Sequence, residues 1–101
     1  NEPGYYEDGN FGIRIENLLT VIDKSETLSG RAFLGFEKLT MIPIQHKCMD
    51  FELLTPKEIE WIDRYHAEIR RKVKPFLETE RAERWLNRST VSCAEFLKTA
   101  P

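Results

Sequence analysis

Residues 2–16 read EPGYYEDGNFGIRIE, and their order predicts an antiparallel β-hairpin. The run Asp8-Gly9-Asn10 is typical of a chain reversal. Glu2 and Glu16 lie at equal distances from Gly9, so a hairpin centred there places the two carboxylates opposite each other. Opposed side chains on one face of a sheet have Cβ atoms about 4.5 to 5.5 Å apart.

Two carboxylates at that separation destabilise a sheet unless a cation lies between them or one of them is protonated. A metal held by oxygen ligands resolves the repulsion, and carboxylates favour hard ions such as Mn²⁺ or Mg²⁺. The alternative is that both glutamates are simply solvated at the surface. Two carboxylates also fall short of the four or more ligands of a working site. Glu2 and Glu16 therefore predict half of a metal site at most.

The composition changes near residue 54 and predicts an α+β fold. β-branched residues, aromatics and glycines crowd the first part, whereas Glu, Arg and Lys crowd the second, so strands are expected first and helices afterwards. Alternating apolar and polar residues over 11–22 predict one strand, and residues 33–42 predict a second that ends at Pro43. We expect these two strands to pair, joined by the polar segment 23–31.

The second part predicts two helices. Thr55-Pro56-Lys57-Glu58 supplies an N-cap hydroxyl, a proline at the first helical position and a glutamate that closes a capping box. Pro75 is expected to kink or end this helix, which makes it about 18 to 20 residues long, and a second helix is expected over 76–87. The tail leaves room for a short helix around 94–98. The apolar stripe of the first helix is formed by Ile59, Ile62, His66, Ile69 and Val73.

The histidines and helical aromatics have structural interpretations. His66 lies on the apolar stripe and is expected to be partly buried with its hydrogen bonds satisfied. His46 follows a predicted strand and is expected to be solvated rather than metal-ligating. The aromatic residues of the helical part are expected to face the core, namely Trp61, Tyr65, Phe76 and Trp85.

The charge balance argues against nucleic acid and anionic membranes as partners. The 101 residues carry 15 Lys and Arg against 17 Asp and Glu, a net charge of −2. The basic run Arg70-Arg71-Lys72 shares its helix with several acidic residues, which favours a solvated face. The longest apolar stretches, such as 41–44, are far shorter than the roughly 18 residues of a membrane-spanning helix.

The beginning of the chain and its two cysteines indicate its origin. The sequence opens inside a motif, at Asn1, without an initiator Met or a signal peptide, so we expect a truncated piece of a longer protein. Cys48 and Cys93 have no metal-ligand spacing and are too few for a disulfide framework. A reducing, cytoplasmic compartment is the expected location.

The motifs at both ends of the predicted hairpin carry a family resemblance. EPGYY at 2–6 and GIRIEN at 12–17 closely resemble the end of the catalytic domain of Xaa-Pro aminopeptidases, which belong to the pita-bread metallopeptidase family. The resemblance continues through 33–40 and 43–45, and 54–66 looks like the C-terminal extension of the larger members. It implies that 1–45 ends a pita-bread domain and that 46–101 is a C-terminal helical extension.

The resemblance also implies roles for four residues of the hairpin. Glu2 corresponds to a ligand of one ion in a dinuclear centre, usually dimanganese, and Glu16 to the glutamate that bridges both ions. Tyr6 and Arg14 correspond to residues of the supporting hydrogen-bond network of the catalytic centre. Without the motif they would be interpreted as an exposed aromatic and an ordinary surface cation. The family's other ligands, two aspartates and a histidine, precede this part and are absent here.

The implied activity is metal-assisted removal of the N-terminal residue from peptides with proline at the second position. Because only two of the ligands are present, the chain alone is expected to be inactive, and the full-length enzyme is expected to be a homodimer. A non-catalytic interaction or dimerisation module is the alternative. Non-enzymatic pita-bread proteins, such as histone chaperones, have lost ligands, and the presence of both Glu2 and Glu16 argues against that class.

Overall fold

The computed structural model describes residues 1–25 and 30–99. It divides into two compact units, Asn1–Thr40 and Met41–Pro101. Strands form the first unit and helices the second, which confirms the predicted α+β order. The domain boundary expected between residues 45 and 46 stays a prediction. In the described residues, no helix has the length and apolar character needed to cross a membrane.

The predicted hairpin is present. Strands β1 (Gly4–Glu7) and β2 (Phe11–Arg14) pair antiparallel, with Gly4 opposite Arg14 and Glu7 opposite Phe11. The backbone N–H of Asn10 donates to the carbonyl of Glu7 at 3.0 Å, which closes the turn. Gly9 has a φ of 71°, in the left-handed region that glycine adopts without a steric penalty.

The strand predicted over 11–22 is wrong as a single element. It is split into β2 and β3 (Leu19–Asp23), because the extended chain changes its pairing partner between residues 17 and 18. The Asn17 N–H donates to the carbonyl of Asn1 at 3.0 Å, whereas the next N–H, that of Leu18, donates to Thr40 Oγ1 at 2.8 Å. One alternating sequence pattern therefore serves two hairpins.

The second hairpin pairs β3 with β4 (Leu34–Lys38) in antiparallel register, with Val21 opposite Phe36. This confirms the expected pairing, although β4 is shorter than the strand predicted over 33–42. Of the polar segment expected at 23–31, residues 26–29 lie outside the described part of the chain.

Helix α1 (Pro56–Val73) begins and ends as expected. Thr55 is its N-cap, and the capping box with Glu58 is formed in both directions. A 3₁₀ turn at Lys74–Phe76, which contains Pro75, follows the last residue of the helix. A short α3 (Cys93–Thr99) occupies the predicted tail segment.

Helix α2 (Glu80–Ser89) begins four residues later than predicted. Leu77 has extended backbone angles, with φ −86° and ψ 129°, and so interrupts any continuation from the 3₁₀ turn. The helix is started instead by Thr79, whose side chain accepts a hydrogen bond from the Ala82 N–H at 3.2 Å. A threonine N-cap was a stronger local signal than the apolar residues at 76 and 77.

The core of the helical unit is formed by Tyr65, Ile69 and Leu86. Three of the aromatics expected to be buried are exposed instead: Trp61 by 42%, Trp85 by 54% and Phe76 by 83%. On α1, the buried side chains follow a stripe of positions 62, 65, 66 and 69, and Trp61 lies outside it. The prediction of core positions was therefore right for Tyr65 alone among the four aromatics.

His46 is buried, which contradicts its expected solvation. It belongs to a 3₁₀ turn (His46–Cys48) and is only 5% exposed. Its ring stacks on Phe96 of α3 with 4.9 Å between centroids and meets the edge of His66 at 4.8 Å. Phe96 is 50 positions away in sequence, so the residues around His46 could not predict that Phe96 would bury its ring.

Candidate metal centre

The residues with predicted site roles lie on one face of the first hairpin. The ladder extends beyond the strand ends, because the Ile15 N–H donates to the carbonyl of Pro3 at 3.2 Å. This register places Glu2 opposite Glu16, as the spacing around Gly9 predicted. Side chains of alternate residues point to the same face of a strand. The site face is accordingly formed by Glu2, Gly4, Tyr6, Gly12, Arg14 and Glu16.

Arg14 lies between the two carboxylates. Its Nη1 atom is 3.5 Å from Glu2 Oε2 and 3.7 Å from Glu16 Oε2. The cation that the opposed glutamates require is thus supplied by the chain itself. All three side chains are close to half exposed or more, at 47%, 70% and 56%, so these ion pairs add little to stability.

Tyr6 contacts the guanidinium of Arg14. Arg14 Nε donates to Tyr6 Oη at 2.8 Å, and the guanidinium carbon is 5.9 Å from the centre of the Tyr6 ring. The sequence pattern puts Arg14 and Glu16 on one strand face, and the structure shows that Tyr6 reaches the same group from the opposite strand. Tyr6, Arg14 and the two glutamates form one connected polar network.

The network contains two side chains of a type that can ligate a metal ion, those of Glu2 and Glu16. Over residues 1–25 and 30–99, no three His, Cys, Asp or Glu side chains converge in a way that could hold a metal ion. The carboxylate oxygens of Glu2 and Glu16 are donors of the kind that hard divalent ions prefer. The donor set therefore agrees with a partial site that needs ligands from outside these residues.

The buried titratable groups of the helical unit are not part of this network. Burial raises the pKa of the Cys93 thiol to about 12, and the neighbouring Asp63 carboxylate adds to the effect. Burial likewise lowers the pKa of both His46 and His66. His66 is used structurally, because its Nε2 accepts a hydrogen bond from the Ile44 N–H at 3.1 Å. A thiol held protonated is a poor metal ligand, and the lone pair of His66 Nε2 is already used by the Ile44 N–H.

A family profile described as the C-terminal region of peptidase M24 matches residues 32–93. The chain belongs to the M24 peptidase family. The chain is 54% identical over 93 residues to aminopeptidase P2 of Arabidopsis thaliana. It is 50% identical over 93 residues to a probable Xaa-Pro aminopeptidase P of Tuber melanosporum. Both matches cover 89% of this chain but only 13% and 15% of the relatives, so the M24 chain spans a small part of their length.

A solved structure resembles the M24 chain in its fold. It is the crystal structure of an X-prolyl aminopeptidase from Caenorhabditis elegans, described as a cytosolic enzyme with a di-nuclear active site. The TM-score is 0.73 at 35% sequence identity, over 91% of this chain and 15% of the worm chain. The resemblance to Xaa-Pro aminopeptidases is confirmed, and the fold is the C-terminal part of their pita-bread catalytic domain.

Proposed function

We propose that this M24 chain is the C-terminal part of a Xaa-Pro aminopeptidase and that Glu2 and Glu16 are two ligands of its dinuclear metal centre. The observation that carries the proposal is the opposition of the two carboxylates around one cationic group, Arg14 Nη1, at 3.5 and 3.7 Å. The names of the relatives support the activity, and the description of the worm enzyme supports two metal ions.

In this proposal each residue has a defined task. Glu2 would hold one ion and Glu16 would be a ligand of both, while Arg14 would hold the two carboxylates in place and Tyr6 would hold Arg14. Two bound divalent ions, which we propose would be Mn²⁺, would supply Lewis-acid chemistry: activation of a water molecule and stabilisation of negative charge on the scissile carbonyl oxygen. The remaining ligands come from other parts of the polypeptide, so the chain alone is inactive.

The proposed substrates are peptides with proline at the second position, cleaved in the cytoplasm. The worm enzyme is described as cytosolic, which supports that location.

The exposed apolar side chains of the first unit support the proposal that the chain is part of a larger protein, because Tyr5, Phe11 and Ile13 are each more than half exposed on the face opposite the site. Two-stranded hairpins are marginally stable unless other structure covers them.

Substitution of the glutamates tests the proposal in the full-length protein. Glu2→Gln and Glu16→Gln keep the side-chain size but remove the ligating charge. Loss of a residue that only supports a metal ligand typically weakens metal binding about 10- to 100-fold. Each of these variants is expected to weaken Mn²⁺ binding by more than that and to abolish cleavage of an Xaa-Pro peptide. Isothermal titration and a peptide-cleavage assay measure both effects.

Glu37→Gln is the matched control, because Glu37 is an exposed strand glutamate of β4 outside the network. It is expected to leave metal binding and cleavage unchanged. Unchanged metal affinity in the Glu2 and Glu16 variants would refute the proposal. Titration of the 101-residue chain alone should give no tight binding of two Mn²⁺ ions, and such binding would show that the site is complete without other segments.

A second candidate function is a subunit interface. Trp85 and Phe76 of the helical unit are 54% and 83% exposed, although aromatic residues of this size are usually covered. Aromatic residues are enriched at protein interfaces, and a homodimer of the full-length protein would cover them. This candidate is compatible with the peptidase activity and concerns assembly alone.

A further inference from the structure

We propose that Gly4 and Gly12 are positioning residues of the metal centre, because together they make the surface on which the Tyr6 ring lies. The inference rests on the proposed function and deepens it. It assigns a role to two glycines whose backbone angles do not require glycine, since among the described glycines only Gly9 and Gly30 have positive φ.

Gly4 lies beneath the hydroxyl end of the ring. A Cβ atom built on Gly4 would be 2.6 Å from Tyr6 Oη and 2.9 Å from Tyr6 Cζ. Cβ contacts shorter than 3.0 Å are essentially never seen in proteins. Gly4 and Tyr6 are two positions apart in β1 and therefore share a face.

Gly12 lies beneath the opposite side of the same ring. It pairs directly with Tyr6 across the hairpin, and a Cβ atom on Gly12 would be 2.7 Å from Tyr6 Cδ1 and 3.2 Å from Cε1. The two glycines thus leave room for the ring to lie flat over both strands. A methyl group at either position would push the ring away from the hairpin.

The position of the Tyr6 ring determines where its hydroxyl lies, and the hydrogen bond to that hydroxyl holds the Arg14 guanidinium in place. Tyr6 Oη accepts from Arg14 Nε at 2.8 Å, and a shift of about 1 Å in either atom would take this pair beyond normal hydrogen-bond distance. Arg14 would then lose the contact that aims Nη1 between Glu2 and Glu16. Tyr6 is 58% exposed, so moving its ring sacrifices little packing. The effect of a substitution should consequently fall on metal binding more than on stability.

A double-mutant cycle in the full-length protein tests this chain of contacts, with Mn²⁺ alone as the probe. Gly12→Ala displaces the ring, and Tyr6→Phe removes the hydroxyl while keeping the ring. Each is expected to weaken Mn²⁺ binding about 10- to 100-fold, the range for groups that support metal ligands. The double variant should bind no more weakly than the weaker of the two single variants, because both changes remove the same hydrogen bond.

Gly35→Ala is the control. Gly35 also lies in a strand, and a Cβ atom there would be 2.8 Å from Lys24 Cγ, but Lys24 is not one of the residues of the site face. This variant is expected to keep the wild-type Mn²⁺ affinity. Wild-type affinity in Gly12→Ala, or losses that add fully in the double variant, would overturn the proposal.

Two further measurements separate the possible failures. If Gly12→Ala binds Mn²⁺ normally while Glu2→Gln does not, the role of the glycines is wrong and the proposed function stands; if Glu2→Gln also binds normally, the proposed function itself is wrong. If Gly12→Ala does not fold, the double variant Tyr6→Ala with Gly12→Ala should fold as well as Tyr6→Ala alone. A double variant that still fails to fold would show that Gly12 is needed for another reason.

Discussion

Arg14 shows how one side chain can organise residues that are far apart in sequence. Its guanidinium is hydrogen-bonded to Tyr6 and lies beside Glu2 and Glu16, which are 14 positions apart. The planar group has five N–H donors in a fixed geometry, so it can serve several oxygen atoms at once. A lysine at this position would supply the charge to one carboxylate but could not reproduce the arrangement.

At the same scale, the buried imidazoles predict a pH dependence of stability. The pKa values of His46 and His66 are lowered mainly by burial, and for His66 also by the charge of His46, while Asp63 and the Val91 carbonyl partly oppose the shift. The folded chain then binds fewer protons than the unfolded chain below the ordinary histidine pKa of 6.5. The free energy of unfolding is expected to fall as the pH drops below about 6.5, by at most about 1.4 kcal/mol per pH unit for each imidazole, and to level off below the folded-state values.

Urea unfolding of the helical unit between pH 7.5 and 5, followed by circular dichroism, measures this slope. His46→Phe keeps a ring to stack on Phe96 but removes one titrating group, so it should make the slope shallower. The carboxyl of Glu58, whose pKa is lowered from 4.5, titrates below this window. A free energy of unfolding that stays constant from pH 7.5 to 5 would contradict the prediction.

At the scale of single residues, the sequence predicted that Glu2 and Glu16 would lie opposite each other, but it did not predict the side-chain contacts between them and their neighbours. The symmetry of Glu2 and Glu16 around Gly9 is a local property of a hairpin, and it was sufficient to place the carboxylates. The need for glycine at positions 4 and 12 is visible only in the structure, where a Cβ atom at Gly4 or Gly12 would clash with the Tyr6 side chain. An available signal was their parity, since both glycines share a strand face with Tyr6.

Among the elements, α1 has the strongest local determinants, and its capping box is the place to test them. Thr55 Oγ1 accepts from the Glu58 N–H at 3.3 Å, and Glu58 Oε2 accepts from the Thr55 N–H at 2.7 Å. Thr55→Ala is expected to lower the free energy of unfolding by about 1 kcal/mol, because it leaves a helix N–H without its partner. Chemical denaturation measures the change.

Thr55→Ser retains the hydroxyl and serves as the control, with an expected loss well below that of the alanine variant. The hydrogen bonds from Thr55 also lower the pKa of Glu58, so the alanine variant should move this pKa back toward its ordinary value of 4.5. Equal stability of the alanine and serine variants would show that the capping box does not stabilise the helix.

Elements with complete local signals were predicted well, and elements that depend on distant partners were not. The beginning of α1 is determined by the Thr55 N-cap and the proline that follows it, and its end by Pro75, so each signal lies within a few residues of the helix end that it determines. By contrast, the break between β2 and β3 arises because Asn17 pairs with Asn1 while Leu18 bonds to Thr40. The alternation of side chains continues through that change and so cannot reveal it.

Across the whole molecule, the buried side chains are concentrated in the helical unit. Among the described residues, those classed as buried all lie between His46 and Cys93. The strands of the first unit instead expose large apolar side chains on the hairpins, including Val21, Leu34 and Phe36 at 59%, 75% and 71%. The helical unit has a core of its own, whereas the strands depend on cover from elsewhere.

The candidate subunit interface is tested at this scale by sedimentation of the full-length protein over a range of concentrations. If Trp85 and Phe76 form the interface, Trp85→Ala and Phe76→Ala should each raise the dimer dissociation constant by about tenfold or more, as interface aromatics commonly do. Arg81→Ala, at an exposed position of the same helix as Trp85, should leave the constant unchanged. A protein that stays monomeric at every concentration would exclude this interface.

The uncovered strands have a consequence for any truncated form that retains them. Each of the two described sheets has two strands, so every strand presents an edge with unpaired backbone groups. Open edges beside apolar side chains are templates for intermolecular pairing and lead to aggregation. Proteolytic products that keep Asn1–Thr40 with these strands uncovered are therefore expected to form insoluble assemblies.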